Sequence, residues 1–109
     1  MKELELVEER LNIGRERYGH GVRPRDDTTQ WGTNTNSWLE MAHEEIIDCM
    51  IYVCADYIRE NNIEYEGDAN SLILQYLETP GSIHSPYHTY NINMLQYLLS
   101  TSILRQITG

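Results

Sequence analysis

The sequence predicts an all-α protein: one domain over residues 1–109, folded as a compact bundle of about four helices with two long functional loops. Three observations carry that expectation. Apolar residues recur at helical spacing in four stretches, no useful length alternates with period two, and a strong helix-start signal opens the longest stretch. A chain of 109 residues has room for one modest core, and a helical unit of this size often needs a partner to finish burying its surface, so a homo-oligomer is expected.

The first helix is expected over about 3–18, with Leu4, Val7, Leu11 and Ile13 turned inward. A longer helix is expected over about 37–61, opened by a Ser-x-x-Glu capping box (Ser37, Glu40) and ending in the polar run Arg59-Glu60-Asn61-Asn62. Trp38, directly after the cap, is the natural anchor of its first turn in the core. A third helix opens near Asp68 as N-cap and carries Leu72, Ile73, Tyr76 and Leu77 up to Pro80. The fourth covers about 91–107, with Ile92, Leu95, Leu98, Leu99, Ile103 and Leu104. The echo between LILQYLE and NMLQYLL is a shared amphipathic pattern, not a repeat architecture.

The connections 19–36 and 79–90 exceed the ~2–8 residues usual between bundled helices, and long loops in small domains are often functional. The first holds Trp31 and Gly32 among Thr and Asn residues able to hydrogen-bond a base or ribose. The second gathers His84, Tyr87, His88 and Tyr90. Its rings are suited to stacking on a nucleobase, to packing on the body of the fold, or to filling a subunit contact. His84 and His88 straddle Pro86 and make a poor metal pair.

Chemistry concentrates in two places. Glu40, Glu44 and Asp48 recur every four residues, and Glu45 to Asp48 adds an i, i+3 pair. At about 100° per residue these carboxylates form a stripe at the margin of the apolar face. Like charges so placed repel, and a hard divalent cation, Mg²⁺ or Mn²⁺, would gather them. Complementing the helix dipole is the plainer explanation for Glu40, Glu44 and Glu45. His43, inside the cluster, is best read as a hydrogen-bonded core-edge side chain. Asp56 and Arg59 fit a solvated face, with Arg59 reaching a phosphate as the sharper alternative.

Upstream, five of the eight Lys and Arg side chains fall between residues 10 and 25, and all five are Arg: Arg10, Arg15, Arg17, Arg23 and Arg25. Against a formal net charge of −9 this is a local reversal of sign. Arginine grips phosphate through a bidentate fork. Tyr18, Gly19 and Gly21 punctuate the exit from the first helix, where glycine permits left-handed backbone and close approach of a ligand. Balancing Glu3, Glu5, Glu8, Glu9 and Glu16 is the competing account for Arg10, Arg15 and Arg17. It does not reach Arg23 and Arg25.

An arginine-rich loop followed by a carboxylate helix suits a nucleoside triphosphate with its metal. The run from RYG through a tryptophan-bearing polar loop to EExxD (Glu44, Glu45, Asp48) and IIDCMIYVCADYIR resembles the small MazG-like members of the all-α nucleotide pyrophosphohydrolases, especially those common in phages. The likeness covers about residues 10–60. It implies an Mg²⁺-dependent hydrolase that converts a nucleoside triphosphate to the monophosphate and pyrophosphate. Glu44, Glu45 and Asp48 would then be the catalytic and metal-binding residues, with Glu40 as a further metal ligand. Arg15, Arg17, Arg23 and Arg25 would be phosphate-binding, and Tyr18, Trp31, Tyr87 and Tyr90 would contact base or ribose. The family's second acidic motif, Glu-x-x-Glu, has no counterpart in 19–36, where only Asp26 and Asp27 are acidic.

That gap keeps a second reading open: a nucleotide-binding protein without chemistry, such as a phage-encoded sponge that sequesters a nucleotide signal in host defence. A third is a helical protein-interaction module. An acidic pI near 4.7 argues against nonspecific nucleic-acid binding. No stretch approaches the ~20 apolar residues of a membrane span, and no signal peptide opens the chain. Cys49 and Cys54, five apart in one helix, face different sides and are expected as free thiols in a cytoplasm, the host's if the gene is phage-borne.

Overall fold

The computed structural model describes residues 2–101 and is all-α: α1 (Lys2–Tyr18), α2 (Trp38–Glu60), α3 (Asn70–Glu78) and α4 (Pro86–Leu99), with short 3₁₀ turns at Thr28–Trp31 and Pro80–Ser82. No helix among these residues is long and apolar enough to cross a membrane.

The core forms where α2, α3 and α4 converge. Cys54, Tyr57 and Ile58 from α2 meet Ile73 and Tyr76 from α3, with Ile83 and Ile92 from the chain through α4. Tyr57 is its polar pivot. Its ring packs edge-on to Tyr76 at 5.3 Å, and its hydroxyl oxygen accepts the His84 backbone N–H at 3.0 Å. This solves the usual problem of burying a phenol, which must find a hydrogen-bond partner. Burial pushes the Tyr76 hydroxyl and the Cys54 thiol above their ordinary pKa values. Cys49 and Cys54 are both free.

α2 stops as its sequence dictates. Asn62 takes a left-handed conformation (φ 51°), the Ile63 N–H returns to Ile58 O, and the Asn62 N–H returns to Arg59 O. This double closure satisfies the last carbonyls, and Ile63 folds back onto the core.

Three expectations change. Helix α4 starts at Pro86, not near 91, so most of 79–90 is a 3₁₀ turn and a helix start rather than one long loop. Ser85 caps it, its Oγ accepting the His88 N–H, and Pro86 occupies a first-turn position where its missing N–H costs nothing. Ile103 and Leu104 lie outside the described residues. Helix α3 begins at Asn70 with Asp68 accepting the Asn70 N–H from outside the helix. Most consequentially, α1 buries none of its residues, and the expected inward positions Leu4, Val7 and Leu11 are all at least half exposed. The apolar spacing is present, but α2–α4 pack on one another and leave it uncovered.

Candidate functional site

The loop between α1 and α2 is held by polar side chains. Thr28, fully buried, accepts the Ser37 N–H through Oγ1 at 2.7 Å, pairs with Thr33 Oγ1 at 2.7 Å, and donates its own N–H to Asn36 Oδ1 at 3.0 Å. Asp27 caps the 3₁₀ turn through the Thr29 N–H and hydroxyl. Gly32, at φ 103°, turns the chain after Trp31.

Glu40 completes this knot. Its Oε1 accepts the Asn34 N–H at 2.9 Å, and its Oε2 accepts the Thr35 N–H at 3.0 Å and the Thr35 hydroxyl at 2.8 Å. Ser37 caps α2 as expected, accepting the Glu40 N–H, but the Glu40 carboxylate reaches past the cap into the loop. The Asn34 N–H, followed by the Thr35 donors, holds Glu40 below the ordinary carboxylate range. The Thr29 hydroxyl and N–H do the same for Asp27. With three loop donors on its two oxygens, Glu40 is a loop fastener.

This loop frames a cavity of about 460 Å³ beside α1. One wall is α1, with Arg10, Leu11, Gly14, Arg15 and Tyr18; the opposite side carries Trp31, Trp38 and Met41. His20, Gly21, Val22 and Arg23 close one edge. Gly19, at φ 78°, releases the chain from α1 so that it can double back, its N–H bonding Arg15 O at 2.9 Å. Gly21 then backs onto the Arg15 guanidinium, where an added methyl would lie 3.7 Å from Nη2.

Trp31 and Trp38 pack at 5.6 Å between ring centroids, tilted by 37°, and Trp38 Nε1 donates to Pro24 O at 2.8 Å. Trp38 is therefore not the core anchor its position suggested. It stays 39% exposed and serves the cavity.

The arginines bear on the charge-balance account. Among the described residues the ion pairs are Arg23–Asp26, at 2.9 Å, and His88–Asp56, at 2.7 Å. Arg10 and Arg15 pair with none of the glutamates of α1. The cavity thus presents two guanidinium groups without an ion pair and a third, Arg23, paired with the half-buried Asp26, together with large aromatic rings.

Of the residues singled out for phosphate and base, Arg15, Arg23, Tyr18 and Trp31 come together in this cavity. Arg17 and Arg25 do not line it. Tyr87 and Tyr90 lie on exposed positions of α4, away from it, with Tyr87 edge-on to His88. Arg10 was counted in the arginine cluster but not among the phosphate ligands, Met41 carries no motif, and Trp38 looked like core.

Glu44, Glu45 and Asp48 are exposed or half-buried on α2 and do not line the cavity. Among the described residues no three His, Cys, Asp or Glu side chains gather as a ligand set. Glu45 and Asp48 nonetheless project within about 40° of Met41 around the helix, one and two turns beyond it. Mg²⁺ commonly takes one or two carboxylates and fills its octahedron with water and substrate phosphate. Glu45 and Asp48 are a carboxylate pair of that kind.

His88 is buried and fully engaged, with Ser85 Oγ 2.5 Å from Nδ1 and Asp56 Oδ2 2.7 Å from Nε2. It ties α2 to the start of α4, while His84 uses only its backbone N–H there. Comparison with protein-family models, curated proteins and solved structures returns no match for this chain.

Proposed function

We propose that this protein binds a phosphorylated nucleotide in the cavity between α1 and the Trp31–Trp38 pair. One observation carries the reading: Arg10, Arg15 and Arg23 converge on the same space as Tyr18, Trp31 and Trp38. The Arg10 and Arg15 guanidinium groups, which have no carboxylate partner among the described residues, are suited to phosphate oxygens, with Arg23 held beside them by Asp26, and the partly exposed indoles offer a stacking surface to a base. The cavity falls within the ~300–1,000 Å³ range of small-molecule sites.

The second reading is the Mg²⁺-dependent pyrophosphohydrolase implied by the MazG-like resemblance. It is favoured by Glu45 and Asp48 continuing the cavity side of α2 past Met41. Bound there, Mg²⁺ would offset phosphate charge; Glu44 would stand beside the pair, and Glu40 would keep the loop closed. The interaction-module reading draws on the uncovered face of α1.

Calorimetric titration with ribo- and deoxyribonucleoside triphosphates, with and without Mg²⁺, tests the proposal. Arg15→Ala and Arg23→Ala should each weaken binding by about 1.5–3 kcal/mol, the worth of a charged hydrogen bond, and Arg17→Ala should leave it unchanged. Wild-type affinity in both cavity variants would sink the nucleotide reading. Pyrophosphate release that vanishes in Asp48→Asn would assign the hydrolase; tight binding with no release would assign the sponge.

A further inference from the structure

Helix α1 carries a pattern that the cavity only partly uses. Leu4, Val7, Leu11, Gly14 and Tyr18 follow one another at alternating intervals of three and four, the seam of a two-stranded coiled coil. Leu11, Gly14 and Tyr18 line the cavity wall. Leu4 and Val7, 63% and 53% exposed, continue the seam away from it. A 17-residue helix with its apolar side in water is marginal on its own, since most helical stability comes from burying such a face. Gly14 leaves an opening in the seam, because a Cβ placed there would touch nothing within 4 Å.

Charge identifies what fits. Residues 2–9 carry four glutamates against one lysine, and residues 10–18 carry three arginines against one glutamate. Laid antiparallel on a copy of itself, α1 sets its acidic half on the other chain's basic half at both ends of the contact. A parallel pairing would set like on like. Glu8 and Arg15 flank the seam on the same side, seven residues apart, and so can meet across an antiparallel pair.

We propose that α1 pairs antiparallel with α1 of a second copy of this chain. Leu4 of each copy then seats against Tyr18 of the other, Val7 against the Gly14 opening, and the two Leu11 side chains meet at the centre, at the margin of each cavity. The contact is isologous, as a two-fold dimer requires. The pairing does not require a bound nucleotide, but it shares Leu11, Gly14, Arg15 and Tyr18 with the cavity wall, so association and nucleotide affinity are measured separately.

Sedimentation velocity of the whole chain at micromolar concentration tests the pairing. Wild type should be dimeric, and the Leu4→Glu/Val7→Glu double variant should be a monomer that keeps the circular dichroism of a folded helical protein. Charge reversal covers the case in which that variant fails to fold. Glu8→Arg should weaken association at least tenfold, and adding Arg15→Glu in the same chain should restore it. Orientation is read by oxidising a mixture of Leu4→Cys and Tyr18→Cys chains in a Cys49→Ser background; the mixed disulfide should dominate. A monomeric wild type, reversal and rescue without effect, or dominance of the two like disulfides would each overturn the antiparallel pair.

Discussion

The α2–α4 core and the α1 side of the molecule both carry apolar side chains at helical spacing and end in opposite states. In the core, Ile92 and Cys54 have no solvent exposure and Tyr57 has its hydrogen bond. Along α1, Leu4, Val7 and Leu11 stay at least half exposed, and Arg10 and Arg15 have no carboxylate partner among the described residues. In so small a chain such a surplus is informative. Stability resides where side chains are satisfied within the chain, and recognition resides where they are left available to something outside it.

The largest expected effect breaks the core alone. Ile92→Ala should cost about 2–5 kcal/mol in urea unfolding, through lost burial and the void it leaves. Leu4→Ala, measured where the chain is monomeric, should stay within about 0.5 kcal/mol. Equal costs for the two would mean that α1 belongs to the core and that the contrast is false.

Next comes the loop that joins the two regions. Thr28→Val strips a buried hydroxyl and leaves the Ser37 N–H without its partner, while Thr33 Oγ1 keeps only its bond to Thr35 O, which should cost about 1–3 kcal/mol. Because the same loop carries Trp31 and leads into Trp38, nucleotide affinity should fall too. Undiminished binding at a reduced melting temperature would show that the knot stabilises the fold without shaping the cavity.

A smaller effect belongs to the clamp between α2 and α4. The Asp56 side chain is 56% exposed, so Asp56→Asn should cost no more than about 1 kcal/mol by thermal unfolding, and should not touch nucleotide affinity. A loss of binding there would connect the clamp to the cavity, against the geometry.

The smallest effect is read from pH. The folded loop holds Glu40 below its ordinary value of 4.5, so its contribution is present in full above that value and is lost as pH falls through the lower folded pKa. Wild type should therefore be more stable than Glu40→Gln at neutral pH, with the difference shrinking in acid. Melting curves with a pH-independent difference would show that the carboxylate charge contributes nothing to the knot.

Much of the fold was legible because the signals were local. Ser37 before an amphipathic run, the polar end of α2 and the leucine spacing of α3 each depend on a few neighbouring residues. The start of α4 was legible in principle: Ser85-Pro86 is a cap and a first-turn proline, yet proline also marks loops, and the longer-range support from Tyr57 to His84 is invisible in one dimension. Part of the cavity was foreseeable from Arg15, Tyr18, Arg23 and Trp31, where charge reversal and glycine stood out. Met41 did not stand out, and Arg10 was named in the cluster without a role, because each is ordinary on its own helix and becomes notable only when two helices face one space. Glu40 was assigned to a metal by its spacing, which could not register that Asn34 and Thr35 would fold back onto it.

Both tryptophans of this chain, Trp31 and Trp38, line the cavity, and the core contains none. Intrinsic fluorescence excited at the indole band therefore reports on that one space and not on the fold as a whole. Quenching or a shift in emission on adding a ligand would register occupancy without a label. The same two chromophores, 5.6 Å apart, should also give a coupled near-ultraviolet dichroism that disappears when the α1–α2 loop opens, even while α2–α4 stay folded.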